Sequence, residues 1–241
     1  MNKRLKLIGV CLAALLVLVS VGFHTWTRVA TYPAFPEAAA RADEARTSDG
    51  WYVFEPEGEP RAGFIFYPGG LVDPAAYAPL MQELSKGGVR AIIVAMPLDL
   101  AVLGVDRASD VMAAFPDIDT WIIGGHSLGG AMAAEYLKDG PGEIDGFAIL
   151  ASYPADSTDL SALPVEVVSI YGSEDGVSGD VFEESLNRLP EGASLVLIEG
   201  GNHAQFGDYG PQKGDGIAEV SRDLQQDLTV REILKLVNAL Q

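Results

Sequence analysis

A glycine-rich segment directly after an apolar run constrains this chain more than any other feature. The segment Gly124–Gly130 reads GGHSLGG and follows the apolar residues 121–123. Its centre matches the pattern G-x-S-x-G, which holds a serine in a sharp turn between a strand and a helix. Glycines at 125 and 129 fit this turn, because a side chain at either position would crowd the turn or the neighbouring strand. A serine hydroxyl is a good nucleophile only when it is held clear of its surroundings beside a base. The segment therefore predicts Ser127 as a nucleophile.

The choice of a base is narrow, because the chain has three histidines. His24 lies beside an N-terminal apolar segment. His126 occupies the variable position of the motif, and we expect its side chain to point away from the partner of the serine. His203 lies on a loop after the apolar run Leu195–Ile198. In a parallel sheet that loop lies at the carboxyl edge, where Ser127 also emerges, so His203 is the predicted base.

The acid that orients this histidine is expected on a loop between the serine and the histidine, again after a strand. The run Val165–Tyr171 is such a strand, and Gly172–Gly176 is such a loop. This loop contains two adjacent carboxylates. Asp175 is the predicted acid, and Glu174 remains the alternative, because its longer side chain could reach from the preceding position.

A tetrahedral intermediate also needs hydrogen-bond donors for its oxyanion. The backbone N–H of Leu128, directly after the serine, is the first predicted donor. The second is expected in the turn after the run Phe64–Tyr67, where the sequence PGGL allows the backbone to approach a ligand closely. Gly70 N–H is the predicted second donor, with Leu71 N–H as the alternative.

Taken together, these motifs resemble the α/β-hydrolase superfamily, and within it the small lid-less branch of dienelactone hydrolases and bacterial esterases. The resemblance extends from Trp51 to the C-terminus. It implies that Ser127 is the nucleophile, that His203 acts first as general base and then as general acid, and that Asp175 is the orienting carboxylate. The chain departs from many esterases at Pro68, where they carry a histidine before the glycine.

Short apolar runs alternate with helical patterns along the same part of the chain. Continuous apolarity is typical of strands that are buried on both faces of a sheet. We therefore predict an α/β fold of the α/β-hydrolase type, with a mostly parallel central sheet and helices on both faces. The predicted strands are Trp51–Phe54, Phe64–Tyr67, Ala91–Ala95, Trp121–Ile123, Phe147–Ala151, Val165–Tyr171 and Leu195–Ile198. The predicted helices are Pro74–Lys86, Arg107–Phe115, Leu128–Lys138, Val181–Leu189 and Glu219–Leu240.

The connection between two of these strands bears on how open the site is. Only Tyr153 to Pro164 separate the strand Phe147–Ala151 from the strand Val165–Tyr171. This stretch is too short for the helical cap that many lipases insert there. We predict that there is no cap domain and that the site is open.

The N-terminus has the pattern of a membrane anchor. Three basic residues precede Leu7–Phe23, seventeen residues without a charge, which is close to the shortest length that spans a bilayer. Because positive charge stays in the cytoplasm, we predict a single-pass protein with its catalytic domain outside the cytoplasm. A cleaved signal peptide that leads to secretion is the alternative, since Ser20–Gly22 offers small residues at suitable spacing. Cys11, the single cysteine, fits an ordinary apolar position of the span.

These features divide the chain into three parts: a signal-anchor or transmembrane segment at residues 1–27, a spacer at 28–47 and the hydrolase domain at 48–241. In the spacer, Glu37 and Arg41 follow Pro36 at the spacing of a short helix. With one cysteine in the chain, we expect no intramolecular disulfide.

Charge and composition narrow the partners. A formal net charge of −18 argues against binding to nucleic acid or to anionic lipid. The scattered histidines and loop carboxylates do not have the spacing of metal ligands, and we predict neither a metal nor a cofactor. The expected partners are a small ester or other acyl substrate and, through the N-terminal segment, a membrane.

Two functions fit this sequence. The first is a serine hydrolase, most simply a carboxylesterase. The second is a catalytically idle α/β-hydrolase domain that serves as a cell-surface binding module, since a fold by itself does not establish activity. The presence of Ser127, Asp175 and His203 together favours the enzyme, because an idle copy would be free to lose any of them.

Overall fold

The computed structural model describes residues 3–48, 50–140, 142–179 and 184–241. The chain divides into two compact units, residues 1–31 and residues 32–241. The first unit consists of helix α1 (Lys3–Ala30). The segment Ile8–Ala30 is long and apolar enough to cross a membrane. A signal sequence near the N-terminus has the same properties.

Helix α1 continues beyond Phe23, where the predicted apolar span ends. The hydroxyl of Thr25 donates to the carbonyl oxygen of Val21 at 2.8 Å. A hydroxyl that bonds to its own helix backbone needs no other partner, so polar residues can extend an apolar helix. The helix ends at Ala30, shortly before Pro33, which disfavours helical backbone in the residue that precedes it.

The second unit is built around one central sheet. Its described strands are β1 (Arg46–Ser48), β2 (Trp51–Phe54), β3 (Ala62–Tyr67), β4 (Val89–Val94), β5 (Trp121–His126), β6 (Ile144–Leu150), β7 (Glu166–Gly172) and β8 (Ser194–Ile198). They form an eight-stranded sheet in the order β1-β2-β4-β3-β5-β6-β7-β8. Strand β2 pairs antiparallel with both β1 and β4, and the pairings from β4 to β8 are all parallel. The prediction of a mostly parallel sheet is thus confirmed.

Helices cover both faces of the sheet. They are α2 (Pro36–Glu44), α3 (Ala78–Lys86), α4 (Arg107–Ala114), α5 (Leu128–Lys138) and α6 (Arg222–Ala239). One core cluster joins side chains of α2, α3 and α6 to one face of the sheet, and a second joins α4 and α5 to the other face. Because every residue of β3 and of β5 is buried between these layers, both strands are apolar without alternation.

The structure differs from the predicted elements at several places. Strand β1 was not predicted, because three polar residues carry no apolar pattern and pair with β2 only through a tight hairpin. A 3₁₀ turn, Pro74–Tyr77, precedes α3 in the predicted helix 74–86. The predicted helix at 181–189 lies partly outside the described residues, and its described end contains the 3₁₀ turn Leu186–Arg188.

Helix α2 lies in the stretch that the sequence predicts as a spacer. It buries Ala38 and Ala42, which are 1% and 2% exposed. Just before it, Tyr32 and Ala34 form isolated β-bridges with Val72 and Tyr209. The spacer residues from 32 onward are therefore packed as part of the second unit.

No cap covers the carboxyl edge between β6 and β7. The residues of this connection, 151–165, are all described and contain no helix. Thr158 and Leu160 are fully buried, and Leu160 N–H donates to the carbonyl oxygen of Arg188 at 2.8 Å. The Arg188 guanidinium in turn donates to the carbonyl oxygen of Pro154 at 2.9 Å. The connection is thus held down on the domain and leaves the sheet edge open.

Candidate active site

Ser127 lies in a strained turn between β5 and α5. Its backbone has φ 51° and ψ −124°, a left-handed conformation that costs a non-glycine residue about 1–3 kcal/mol. A Cβ at Gly129 would lie 2.0 Å from the carbonyl oxygen of Tyr67, and a Cβ at Gly125 would lie 2.5 Å from the backbone of Gly129. Both glycines are therefore required by the close approach of α5 to β3 and β5, as the sequence pattern predicts.

His203 lies on the loop after β8, at the same edge of the sheet. Its Nδ1 lies 3.0 Å from Oδ2 of Asp175, and its side chain is 1% exposed. Because a carboxylate only accepts hydrogen bonds, Nδ1 is the donor in this contact, so in the neutral form of the ring the free lone pair is on Nε2. Nε2 is buried and has no hydrogen-bond partner among the described residues. Such an unpartnered nitrogen is suited to accept a proton from a substrate or a neighbouring hydroxyl.

Asp175 is held by four donors. Oδ1 accepts from the backbone N–H groups of Val177 and Ser178, both at 2.9 Å, and Oδ2 accepts from Ser178 Oγ at 2.8 Å as well as from His203. Burial by itself raises the pKa of Asp175, but the hydrogen bond and charge of His203, with the two donors of Ser178, outweigh it. They lower the pKa of Asp175 from 3.8 to about 2. The carboxylate is therefore ionised at neutral pH, as an orienting acid must be.

Glu174, the alternative acid, faces elsewhere. Its Oε1 accepts from Ser173 Oγ at 3.1 Å, and its backbone N–H donates to the carbonyl oxygen of Gly201. The structure brings Asp175, and not Glu174, to the ring of His203.

The two residues that carry the predicted oxyanion donors lie next to each other. A Cβ at Gly70 would lie 2.8 Å from Cδ2 of Leu128, so the turn after β3 contacts the first residue of α5. Among the described residues, neither the N–H of Leu128 nor the N–H of Gly70 has a hydrogen-bond partner. The N–H of Leu71 is already used, since it donates to the carbonyl oxygen of Asp99 at 2.7 Å. Of the two alternatives in this turn, it is therefore Gly70 whose N–H stays available within the described part of the chain.

Ser127 and His203 line one cavity of about 250 Å³. Its other lining residues are Leu128, Ala131, Ala151, Ser152, Tyr153, Val177 and Ser178, which are small or apolar except for Tyr153. The cavity thus joins the serine, the first residue of α5 and the histidine around a space of modest size. Among the described residues, no group of three or more His, Cys, Asp or Glu side chains is arranged to hold a metal ion.

Asp215 is a residue of this site that sequence reasoning missed. Its Oδ1 accepts from the backbone N–H of His203 at 3.1 Å and its Oδ2 from that of Ala204 at 2.8 Å. Oδ1 also lies 3.4 Å from the N–H of Gly176, on the loop that carries Asp175. A carboxylate in a polar, glycine-rich loop gives no signal in the sequence, and only the fold shows that it ties these two loops together.

The expectation for His126 was wrong. Its side chain does not point away from the partner of the serine, because its ring lies 4.5 Å from the ring of His203. His126 is fully buried between Tyr77 and the backbone of His203, to both of which its ring nitrogens are hydrogen bonded. Burial, followed by the charge of His203, holds the pKa of His126 well below its usual value. The ring is therefore neutral.

Comparisons with known proteins agree with this architecture. The model of the alpha/beta hydrolase family matches residues 63–227, well over half of the chain. No curated protein matches the sequence.

Solved structures with the same fold include esterases. Est1E from Butyrivibrio proteoclasticus has a TM-score of 0.59 at 12% identity, over 80% of this chain and 98% of that one. A Klebsiella pneumoniae protein assigned as a dienelactone hydrolase has a TM-score of 0.57 at 14% identity, over 78% and 92%. The propionate-bound esterase Est2 from Thermogutta terrifontis has a TM-score of 0.53 at 15% identity, over 77% and 89%. At these identities the likeness is one of fold.

The family match covers the turn at Ser127, the loop of Asp175 and the loop of His203. The chain therefore belongs to the α/β-hydrolase family.

Proposed function

We propose that this protein is a serine carboxylesterase that cleaves small esters. Ser127 is the nucleophile, His203 the general base and Asp175 the acid that orients it, while the N–H groups of Leu128 and Gly70 bind the oxyanion. The observation that carries the proposal is the buried, unpartnered Nε2 of His203, in the same cavity as a serine held in a strained turn. The nitrogen opposite Asp175 is thus free to take the serine proton, because no described residue occupies it.

The reaction follows from these positions. His203 Nε2 takes the proton of Ser127 Oγ as Oγ bonds to the carbonyl carbon of the ester, and the carbonyl oxygen becomes an oxyanion. The oxyanion is bound by Leu128 N–H and Gly70 N–H. When the carbon–oxygen bond to the alcohol breaks, His203 returns the proton to the leaving alcohol. Water, deprotonated by His203, then attacks the acyl-enzyme, which releases the carboxylic acid and restores Ser127.

The substrate class follows from the size and openness of the site. A cavity of about 250 Å³ lined by alanines, serines and a few larger apolar side chains accommodates a short acyl group. The connection between β6 and β7 has no helix that could close over a long chain. The loop after His203 is no free lid either, since Tyr209 in it is fully buried.

Helix α1 supports a location at the membrane. Its apolar stretch follows basic residues, which favours retention of the N-terminus in the cytoplasm and a catalytic unit outside it. We propose that α1 remains as a single anchor, with a secreted, cleaved form as the alternative.

The nucleophile can be tested by substitution and covalent labelling. We expect Ser127→Ala to abolish labelling by a fluorophosphonate probe and to lower ester turnover by several orders of magnitude, about 10³ or more, because only binding and the oxyanion donors remain. The measurement is kcat/KM on p-nitrophenyl acetate beside gel detection of the probe. Ser161→Ala, which changes an exposed loop serine, should label like wild type.

Two outcomes would contradict this assignment. Labelling of another serine in Ser127→Ala would show that the nucleophile lies elsewhere. Absence of labelling and turnover in the folded wild-type protein would favour the idle binding module.

The acid can be tested with a matched pair of neighbouring carboxylates. We expect Asp175→Asn to lower kcat by about 10⁴, because the amide would favour the wrong imidazole tautomer. Glu174→Gln should leave kcat close to that of wild type, since its carboxylate does not contact His203. Steady-state kinetics of both variants decide the point, and an exchange of the two effects would make Glu174 the acid.

Asp175 also predicts how stability depends on pH. Folding lowers its pKa from 3.8 to about 2, so the ionised form stabilises the folded state above about pH 4. This contribution is lost as the pH falls from about 4 to about 2. In thermal unfolding across this window, wild type should lose more stability than Asp175→Asn, which has no carboxylate to protonate. Equal losses would show that Asp175 is not held as described.

The open site predicts a preference for short, soluble esters. We expect kcat/KM on p-nitrophenyl acetate and butyrate to exceed that on palmitate, and the rates not to rise when a lipid interface is added, because nothing covers the cavity. A preference for palmitate with a jump in rate at the interface would contradict the open site. It would indicate that a segment such as Gln205–Gly216 moves as a lid.

The location can be tested by fractionation of cells that express the full chain. We expect the protein to sediment with membranes. Protease added to cells in which the outer face of this membrane is accessible should release the catalytic unit. Sequencing the N-terminus of the recovered protein is the control. A mature form that begins at Phe23 and is found in the medium would instead establish a cleaved signal.

A further inference from the structure

We propose that Tyr77 and His126 are positioning residues that couple the oxyanion turn to the loop of the catalytic base. This inference rests on the proposed esterase function and assigns a role to two side chains outside the triad. Both are fully buried, and neither lines the cavity of Ser127.

Three hydrogen bonds connect the two parts of the site. Gly69 N–H donates to Tyr77 Oη at 3.0 Å. Tyr77 Oη lies 2.8 Å from His126 Nδ1, and His126 Nε2 lies 3.1 Å from the carbonyl oxygen of His203. This series of hydrogen bonds therefore runs from the turn after β3, through the residue before Ser127, to the backbone of His203.

The direction of each hydrogen bond is fixed by chemistry. A carbonyl oxygen only accepts, so Nε2 of His126 carries the proton and donates to His203. The ring is buried and neutral, so its Nδ1 has no proton and accepts from the hydroxyl of Tyr77. Tyr77 Oη is then free to accept from Gly69 N–H. Each group has one role, and no hydrogen bond of the series can exchange donor and acceptor without breaking another.

Together with a hydrogen bond from Val72, this series of hydrogen bonds positions the Gly70 N–H. Gly69 is held on both sides, since its N–H donates to Tyr77 and its carbonyl oxygen accepts from Val72 N–H at 3.3 Å. The peptide between Gly69 and Gly70 is trans, because the described residues contain no cis peptide bond. In a trans peptide the N–H points opposite to the carbonyl. Fixing the Gly69 carbonyl therefore fixes the Gly70 N–H, the proposed oxyanion donor.

The same series of hydrogen bonds holds the base from the other side. The carbonyl oxygen of His203 accepts from His126, and its N–H donates to Asp215 at 3.1 Å. Both ends of the His203 backbone are thus anchored while its ring is oriented by Asp175. His126 directly precedes Ser127, so its side chain helps to fix the position of the base relative to the nucleophile. Through Tyr77 it does the same for the oxyanion donor.

The first test removes a single oxygen atom. We expect Tyr77→Phe to lower kcat on p-nitrophenyl acetate by about 10- to 100-fold with KM within about twofold, because the Gly70 donor is displaced but not removed. Removal of a donor costs about 10² to 10³. Affinity for a trifluoromethyl ketone, whose hemiketal places an oxyanion in the hole, should fall by a similar factor. Tyr209→Phe is the matched control, since it removes another buried tyrosine hydroxyl that bonds to Gln212.

The second test separates the two branches at His126. In His126→Gln the amide nitrogen can replace Nε2 and still donate to His203, but Tyr77 loses its acceptor. This variant should therefore resemble Tyr77→Phe, with a weakened trifluoromethyl ketone complex.

In His126→Asn the amide oxygen can replace Nδ1 and accept from Tyr77, whereas the bond to His203 is lost. This variant should retain affinity for the ketone better than Tyr77→Phe does and should react more slowly with the fluorophosphonate probe than wild type, because the base is displaced.

Folding defects are distinguished from loss of positioning by titrating active sites with the probe and by thermal unfolding. If the loss of kcat in Tyr77→Phe disappears once the folded fraction is counted, or if Tyr209→Phe loses as much, the inference is overturned. If Ser127→Ala is inactive but Tyr77→Phe behaves as wild type, the inference fails while the proposed function stands. If Ser127→Ala retains full activity, the proposed function itself fails.

Discussion

The close packing of α5 against the ends of β3 and β5 is the constraint on which the site depends. At Gly129 the helix approaches the carbonyl oxygen of Tyr67 so closely that no side chain fits between them. The chain can enter the helix at this distance only through the left-handed turn at Ser127, with its conformational cost of about 1–3 kcal/mol. The buried strands and the two core layers supply the packing that maintains this strain. As a result, the serine hydroxyl is presented at the edge of the sheet.

The histidine side of the site is built differently, because it has no regular secondary structure to hold it. His203 lies on a loop, and its backbone and ring are fixed by side chains from three other segments: Asp175, Asp215 and His126. Carboxylates are well suited to such loops, since they accept hydrogen bonds from backbone N–H groups that would otherwise be unpaired when buried. Some of the carboxylates of this acidic chain thus stabilise its loops.

Much of this arrangement could be predicted from the sequence, because it depends on local pattern. Unbroken apolar runs indicate strands buried on both faces, and these gave the positions of β2 to β8. The glycines around Ser127 reflect steric limits within a few residues. The position of His203 after a strand follows from topology, since all parallel strands end at the same edge. Boundaries were less well defined: α6 begins at Arg222 rather than Glu219, because Ser221 caps it with a hydrogen bond to Leu224 N–H.

What the sequence by itself determined is therefore the fold class and the candidates for the serine, the base and the acid. The tertiary structure places Asp175 rather than Glu174 against the ring of His203, and among the described residues it leaves the N–H of Gly70, but not that of Leu71, without a partner. It also revealed the hydrogen bonds that Asp215, Tyr77 and His126 make around His203 and the turn after β3. These choices depend on which hydrogen-bond partners residues far apart in the chain find when packed together, such as Leu71 N–H on the carbonyl oxygen of Asp99. Local periodicity carries no information about such pairings, since a polar side chain on a loop looks the same in the sequence whether it faces solvent or a buried backbone group.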